Sequence, residues 1–301
     1  MLVLIIGGAG MLGHKLTQTL RARGHEVVPT LRGLIPPGIP LFAEGRTLEH
    51  IDAADEPALA RAMTTFRPQV VVNAVGVIKQ RGAAKEAIPS IRINALLPHV
   101  LAAHTETIGA RLIHFSTDCV FDGQQGRYTE ESPLDAQDLY GRSKALGEVR
   151  DAPHALTLRT SIIGRELANF ASLVEWFLAQ DGRPVRGFRR AIYSGLTTNR
   201  MASLVAQLIE ERPDLAGLWH VASPPINKYD LLLKLQAAYG TGAEITPDDE
   251  FVLDRSLDAT RFWTETGWTP PTWEEMIAEM VAGLETSRLL VLRTGLLKNR
   301  G

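Results

Sequence analysis

Leu2-Val3-Leu4-Ile5-Ile6-Gly7-Gly8-Ala9-Gly10-Met11-Leu12-Gly13 is the stretch on which the fold turns. Five consecutive aliphatic residues read as a strand buried on both faces. The glycines break that strand, and His14–Arg23 resumes with helical periodicity. A glycine turn between a first strand and a helix has a physical use. It lets the backbone approach a pyrophosphate closely, while the helix N-terminus offers unpaired N–H groups and a positive dipole end. Gly7, Gly10 and Gly13, with Met11 and Leu12 between them, are therefore candidate cofactor-binding residues. The spacing is G-x-x-G-x-x-G rather than G-x-G-x-x-G, and the plain alternative is a turn with no ligand.

Outward from that turn, short apolar runs alternate with helical patterns. Gly24 stands where a helix C-cap would, and Glu26–Pro29 begins a second strand. Pro36–Pro40 reads as a loop, Pro57–Arg67 as a helix and Val70–Val72 as a buried strand. Ile88–Thr107 reads as one long helix, Arg111–Phe115 as a strand, Leu139–Val149 as a helix and Ala155–Arg159 as a strand. Such alternation predicts an α/β, Rossmann-like, doubly wound parallel sheet with a smaller mixed C-terminal substrate domain. In the last third, Ser172–Gln180, Asn199–Glu211, Lys228–Tyr239 and Trp273–Leu284 look helical, and Leu218–Ala222 looks like a strand. The expected division assigns residues 1–165 plus about 192–222 to dinucleotide binding. Residues 166–191 plus 223–285 would form the substrate half, and 286–301 would be a docked helix or a frayed tail.

The 301 residues are 45% hydrophobic and 22% charged, enough for a sizeable core. Thirty-two basic against 34 acidic residues give a net charge of −2, which argues against nucleic-acid and membrane-surface partners. The single cysteine, Cys119, excludes an intrachain disulfide and suits a reducing compartment. Met1–Ile6 is too short for a signal-peptide core, and no apolar run reaches the roughly 20 residues that span a bilayer, so a cytoplasmic location is expected. The eight histidines lack metal-ligand spacing, and no metal is predicted.

The tip of the second strand reads Val28-Pro29-Thr30-Leu31-Arg32, without the acid that would bind ribose hydroxyls. Thr30 and Arg32 suit a 2′-phosphate, so NADP(H) is the preferred cofactor and NAD(H) the alternative; the plain alternative for Arg32 is a solvated loop residue. Farther on, Tyr140 and Lys144 lie four apart on one helix face. Reducing a ketone leaves an alkoxide that needs a proton. A tyrosine whose pKa is near ~10 is helped towards neutrality by an adjacent ammonium. Thr117, just after the Arg111–Phe115 strand, is the hydroxyl expected to hold the carbonyl oxygen. A lone Tyr-x-x-x-Lys also fits a solvated helix face; its position after the glycine loop and a Ser-Thr-Asp run gives it weight.

These residues resemble the extended short-chain dehydrogenases, and among them the dTDP-4-dehydrorhamnose reductase family. The resemblance rests on Phe115-Ser116-Thr117-Asp118-Cys119-Val120-Phe121-Asp122-Gly123, Tyr128-Thr129-Glu130 and Tyr140-Gly141-Arg142-Ser143-Lys144. Val72-Asn73-Ala74, Asn94, Asn169-Phe170 and Arg255-Ser256-Leu257-Asp258 extend it to about residue 280. It implies reduction of the C4 ketone of a nucleotide-linked 4-keto-6-deoxy sugar. Tyr140 would donate the proton, Lys144 would tune it and hold the nicotinamide ribose, and Thr117 would orient the carbonyl. Asp52 would meet the adenine, and Asn73 and Ala74 would line the cofactor. Val75, Lys79 and Asp118 would border the sugar, and Asn169 and Arg255 would meet the diphosphate or base. An arginine suits a diphosphate through bidentate hydrogen bonds; Arg255 reads equally as a surface ion pair with Asp254 or Asp258. The sequence departs from the family at Val75-Gly76-Val77-Ile78-Lys79-Gln80-Arg81, at Ser194–Thr198, and at Cys119, where an aromatic residue is usual. A homodimer is expected on general grounds. The competing readings are a sugar-nucleotide epimerase or dehydratase on the same scaffold, and a non-catalytic NADP-binding regulatory subunit.

Overall fold

The computed structural model describes residues 1–78, 86–168 and 170–283. Six strands form the central sheet: β1 (Leu2–Ile6), β2 (Glu26–Pro29), β3 (Val70–Asn73), β4 (Arg111–Thr117), β5 (Ala155–Thr160) and β6 (Gly217–His220). Their spatial order is β6-β5-β4-β3-β1-β2, and every pairing is parallel. This is the Rossmann-like doubly wound sheet that the alternating pattern predicts. The residues of β1 divide between two cores. Val3 and Ile5 pack with α1 (Gly13–Ala22) and α5 (Thr198–Glu211) on one face. Leu4 and Ile6 pack with α2 (Glu56–Phe66) and α3 (Leu97–Ile108) on the other. A strand covered on both faces has no polar side, which is why the run is uninterrupted.

The chain winds from β1 outward to β2 and then crosses to β3 on the opposite side. The crevice at the carboxyl ends of β1 and β3 is thus the switch point at which such sheets bind ligands. Beyond β2, Thr30 and Leu48 make an isolated parallel bridge, with Leu31 N–H donating to the Leu48 carbonyl at 2.7 Å.

Several boundaries differ from expectation for identifiable reasons. β4 runs two residues past Phe115, so Thr117 closes the strand instead of following it. The long helix expected over 88–107 is α-helical at Ala87–Ser90, π-helical at Ile91–Leu96 and α-helical again in α3. Pro98 has no N–H to give the carbonyl of Asn94, so the α ladder cannot run through this point unbroken. Pro40–Ala43 is a single helical turn that begins at the last residue of the loop expected over Pro36–Pro40; proline is at home in the first turn. The C-terminal part of the chain contains strands too short to show a period. Pro184–Phe188 pairs with Glu244–Asp248, and Ala191–Tyr193 lies between Ile226–Asn227 and Leu253–Asp254. A helix at Thr260–Thr266 was also not foreseen. The helix expected at Trp273–Leu284 is present over 273–283. The tail at 286–301, Lys79 and Asn169 lie outside the described residues.

Candidate active site

The glycine loop is held in a tight, pre-formed turn. Gly7 has φ +88°, its N–H donates to the Thr30 hydroxyl at 3.1 Å, and Gly10 N–H donates to the Gly7 carbonyl at 3.0 Å. A β-carbon on Gly13 would overlap that same carbonyl, so α1 can start this close to β1 only with glycine there. No side chain caps α1, and its first turn holds no acid. Among the described residues the Met11 and Leu12 amides have no hydrogen-bond acceptor. Uncapped amides at a helix N-terminus fit a pyrophosphate, so the residues present suit a dinucleotide. Gly13→Ala is accordingly expected to raise the dissociation constant for NADPH at least about 10-fold, the scale of a displaced helix-terminus anion contact. Unchanged binding in a fluorescence titration would show that the loop does not hold the pyrophosphate.

Across the crevice, Thr117, Tyr140 and Lys144 converge. Tyr140 and Lys144 lie on α4 (Leu139–Leu146), capped by Asp138, whose carboxylate accepts from Gly141 N–H at 2.8 Å. A β-carbon at Gly141 would overlap the Cys119 carbonyl and the Ala136 methyl, so α4 seats directly on the turn after β4. That seating brings Tyr140 into a hydrogen bond with the Thr117 side chain. Burial pushes the Tyr140 hydroxyl above its usual range, reinforced by Cys119 and Asp118. The sequence expectation was a lowered value; desolvation outweighs it because the phenolate would be buried. Lys144 is 5% exposed, and its ammonium donates to the Phe115 carbonyl at 2.6 Å. Burial brings its pKa down to about 8, against the opposing pull of Glu148. The carboxamide of Asn94, in the π-helical stretch, accepts from Val77 N–H at 2.9 Å and donates to the Val77 carbonyl at 3.0 Å and Ser143 Oγ at 3.2 Å. It ties the segment after β3 to α4.

Comparison with known proteins gives this geometry a lineage. The family model described as the RmlD substrate binding domain matches residues 1–286. The chain belongs to that family. The spore coat polysaccharide biosynthesis protein SpsK of Bacillus subtilis is 29% identical over 294 residues, covering 92% of this chain and 95% of its own. The dTDP-4-dehydrorhamnose reductase of Aggregatibacter actinomycetemcomitans is 26% identical over 307 residues, covering 94% and 99%. Among solved structures, the dTDP-4-dehydrorhamnose reductase of Bacillus anthracis in complex with NADP superposes with a TM-score of 0.79 at 20% identity, covering 94% and 98%. Family membership makes this chain an extended short-chain dehydrogenase/reductase, an NAD(P)-dependent oxidoreductase.

Within this RmlD-family chain, the remaining candidate residues divide by surroundings. Asn73 lies at the end of β3, 3.1 Å from His114 Nδ1, and its side chain accepts from Val75 N–H at 3.2 Å. Ala74 and Val75 border the glycine loop, for a β-carbon on Gly7 would overlap a Val75 methyl. Asp52 accepts from Ala54 N–H at 2.8 Å and shapes the turn before α2. The Thr30 hydroxyl accepts from Gly7 N–H in the glycine loop, and Arg32 is exposed. Arg255 makes neither ion pair considered for it. It donates to the Phe121 carbonyl at 2.8 Å and the Asp122 carbonyl at 3.3 Å, bracing the 119–122 turn. Asp118 is buried, its carboxylate accepts from the Thr117 hydroxyl at 3.0 Å, and burial raises its pKa. Sequence reading missed Tyr193 and Lys228, on both of which Asp118 and Cys119 act electrostatically. Among the described residues no group of three or more His, Cys, Asp or Glu is placed to hold a metal, and no helix is long and apolar enough to cross a membrane.

Behind the site lies a buried polar network. The Arg159 guanidinium donates to both Glu148 oxygens, at 2.8 and 2.7 Å, and lies 2.6 Å from His220 Nε2. Ser116 on β4 donates to Glu148 at 2.6 Å. Burial, then the Arg159 charge, lowers His220 to about 3; burial lowers His14 to about 4 and His114 well below its usual value. In the unfolded chain these three histidines take up protons near ~6.5. The unfolded state therefore binds more protons than the native one below that pH, and stability falls as pH drops from 6.5 towards 4. Urea midpoints measured between pH 7.5 and 4.5 are expected to decline steadily; a flat profile would contradict the neutral, buried histidines.

Proposed function

We propose that this chain reduces the C4 ketone of a nucleotide-linked 4-keto-6-deoxy sugar, with NADP(H) preferred over NAD(H). The observation that carries the reading is the Thr117–Tyr140 hydrogen bond, with Lys144 on the same helix, facing the switch-point crevice. A bound nicotinamide supplies the hydride. Thr117 holds the carbonyl oxygen, and Tyr140, kept protonated by burial, gives that oxygen its proton. Lys144, fixed on the Phe115 carbonyl, holds the nicotinamide ribose, and its charge favours the tyrosinate left when that proton departs. Gly7, Gly10, Met11, Leu12 and Gly13 take the pyrophosphate, and Arg32 takes the 2′-phosphate. Residues 1–165 with 192–222 form the cofactor half, and 166–191 with 223–285 the sugar-nucleotide half.

Names among the relatives support a sugar-nucleotide substrate, and the complete Thr, Tyr and Lys set favours an enzyme over a regulatory subunit. NADPH and NADH oxidation with a panel of dTDP-, UDP- and GDP-linked 4-keto-6-deoxy sugars tests the reading. Turnover of one member with NADPH identifies the nucleotide. Tight NADPH binding without turnover of any member rejects reduction and favours the regulatory alternative, while sugar interconversion without net NADPH loss favours an epimerase. A cytoplasmic location fits the single, unpaired-by-disulfide Cys119. We also infer a homodimer, because Ile88, Ile91, Leu96 and Leu146 expose apolar side chains on adjoining helical segments. A monomer by light scattering would rule it out.

A further inference from the structure

Lys228 begins α6 (Lys228–Tyr239), directly after the N-cap Asn227, whose side chain accepts from Asp230 N–H at 2.8 Å. The strand Ile226–Asn227 pairs antiparallel with Ala191–Tyr193, and this pairing sets the Lys228 ammonium 4.2 Å from the centre of the Tyr193 ring. Among the described residues the ammonium has that ring contact and no hydrogen bond or ion pair. Its charged neighbour is Asp118, with Cys119 beside it. Burial brings Lys228 down to about 8 and raises Asp118, and each charge acts on the other, so the two groups share one region of the site.

The signs decide what belongs in that region. A diphosphate would gain from Lys228 but be repelled by Asp118. A neutral hydroxyl suits both, accepting from the ammonium and donating to the carboxylate. Position narrows it further. Asp118 is one hydrogen bond from Thr117, the residue that meets the reacting oxygen, so the hydroxyl belongs next to the ketone. In a 4-keto-6-deoxy hexose the two carbons flanking the ketone are C3, which carries a hydroxyl, and C5, which carries a methyl and the ring oxygen. We propose that Lys228 and Asp118 together bind the C3 hydroxyl of the sugar, making Lys228 a specificity-determining residue. This rests on the reductase reading above and names the substrate feature that the site selects. Arg255, held by the 119–122 backbone, fixes the turn that carries Asp118.

A site built to hydrogen-bond a substrate hydroxyl rejects the analogue lacking it strongly, because its own polar groups are then left unpaired. The test compares the 4-keto-6-deoxy sugar nucleotide that the panel identifies with its 3-deoxy counterpart, using the native protein, Lys228→Met and Lys228→Gln, with NADPH affinity as the check on folding. The native protein should prefer the 3-hydroxy sugar by about 100-fold or more in kcat/KM. Lys228→Met should lose most of that preference through the hydroxylated substrate, with 3-deoxy turnover and NADPH affinity within about twofold of native. Lys228→Gln, which keeps a donor, should retain part of the preference and carries the test if the methionine variant does not fold. A native-like preference in either variant overturns the assignment alone. Failure of the native protein to turn over any sugar of the panel overturns the reductase reading and this inference together.

Discussion

Tyr140→Phe should lower kcat about 10³-fold, within the range for losing a positioned general acid, while NADPH affinity stays within about twofold. The substitution removes one oxygen from a half-buried ring and leaves the rest of the side chain in place, so packing on α4 changes little. The size of the effect follows from the surroundings of that oxygen. Among the polar groups around it, Thr117 is its hydrogen-bond partner, and Asp118 and Cys119 disfavour the phenolate. A water molecule replacing the hydroxyl would find a desolvated position with the carbonyl held away from bulk solvent. Single-turnover mixing of the variant with NADPH and keto sugar separates the chemical step from product release. A variant retaining more than a tenth of native kcat would show that the proton comes from elsewhere, and the assignment of Tyr140 would fall.

Arg159→Met should cost about 3 kcal/mol of stability, the low end of the penalty for breaking a buried ion pair, because Arg150 and Ser116 still hold the Glu148 carboxylate. Arg159 and the Glu148 side chain are both fully buried, and their paired hydrogen bonds use both carboxylate oxygens. The Arg159 guanidinium also lies 5.1 Å from the centre of the Phe121 ring, so its loss disturbs packing as well as charge. Against a typical domain stability of about 5–15 kcal/mol, that loss is a large fraction. The double variant Arg159→Met, Glu148→Leu should recover much of it, since an apolar pair of similar size carries no uncompensated charge. Urea unfolding of the native protein and both variants decides the matter. Equal destabilisation of the single and double variants would mean that packing, not charge, sets the cost.

The sequence made the first half of the fold readable because its elements are periodic and punctuated. The β1 run, the Gly24 cap and the Val70–Val72 run each state their structure within a few residues, and Lys228–Tyr239 was located to the residue. Strands of two to five residues such as Ile226–Asn227 and Leu253–Asp254 carry no such signal, because long-range pairing holds them and local pattern does not. The site shows the same division. Tyr140, Lys144 and Thr117 were visible from spacing, whereas the direction of the Tyr140 shift depends on how deeply α4 seats against Cys119, which spacing does not encode. Lys228 was hidden for a related reason: a lysine at the start of a helix ordinarily faces water, and only the pairing of a two-residue strand turns this one towards Asp118. Arg255 misled in the opposite sense, since a backbone carbonyl that takes up a guanidinium leaves no trace in sequence.

The π-helical turn at Ile91–Leu96 adds a constraint of a different kind. Such a turn holds about one residue more than an α turn, so it acts as a spacer inserted in an otherwise continuous rod. Deleting any one residue within it would let the helix close to α geometry, leaving its two ends nearly in phase but turning the side chains inside the stretch off the face they now present. Asn94 would then release Val77 and Ser143 together, parting the loop after β3 from the helix that carries Tyr140. In this segment the number of residues belongs to the site as much as their identity does, and a change in length would be felt where many changes in side chain would not.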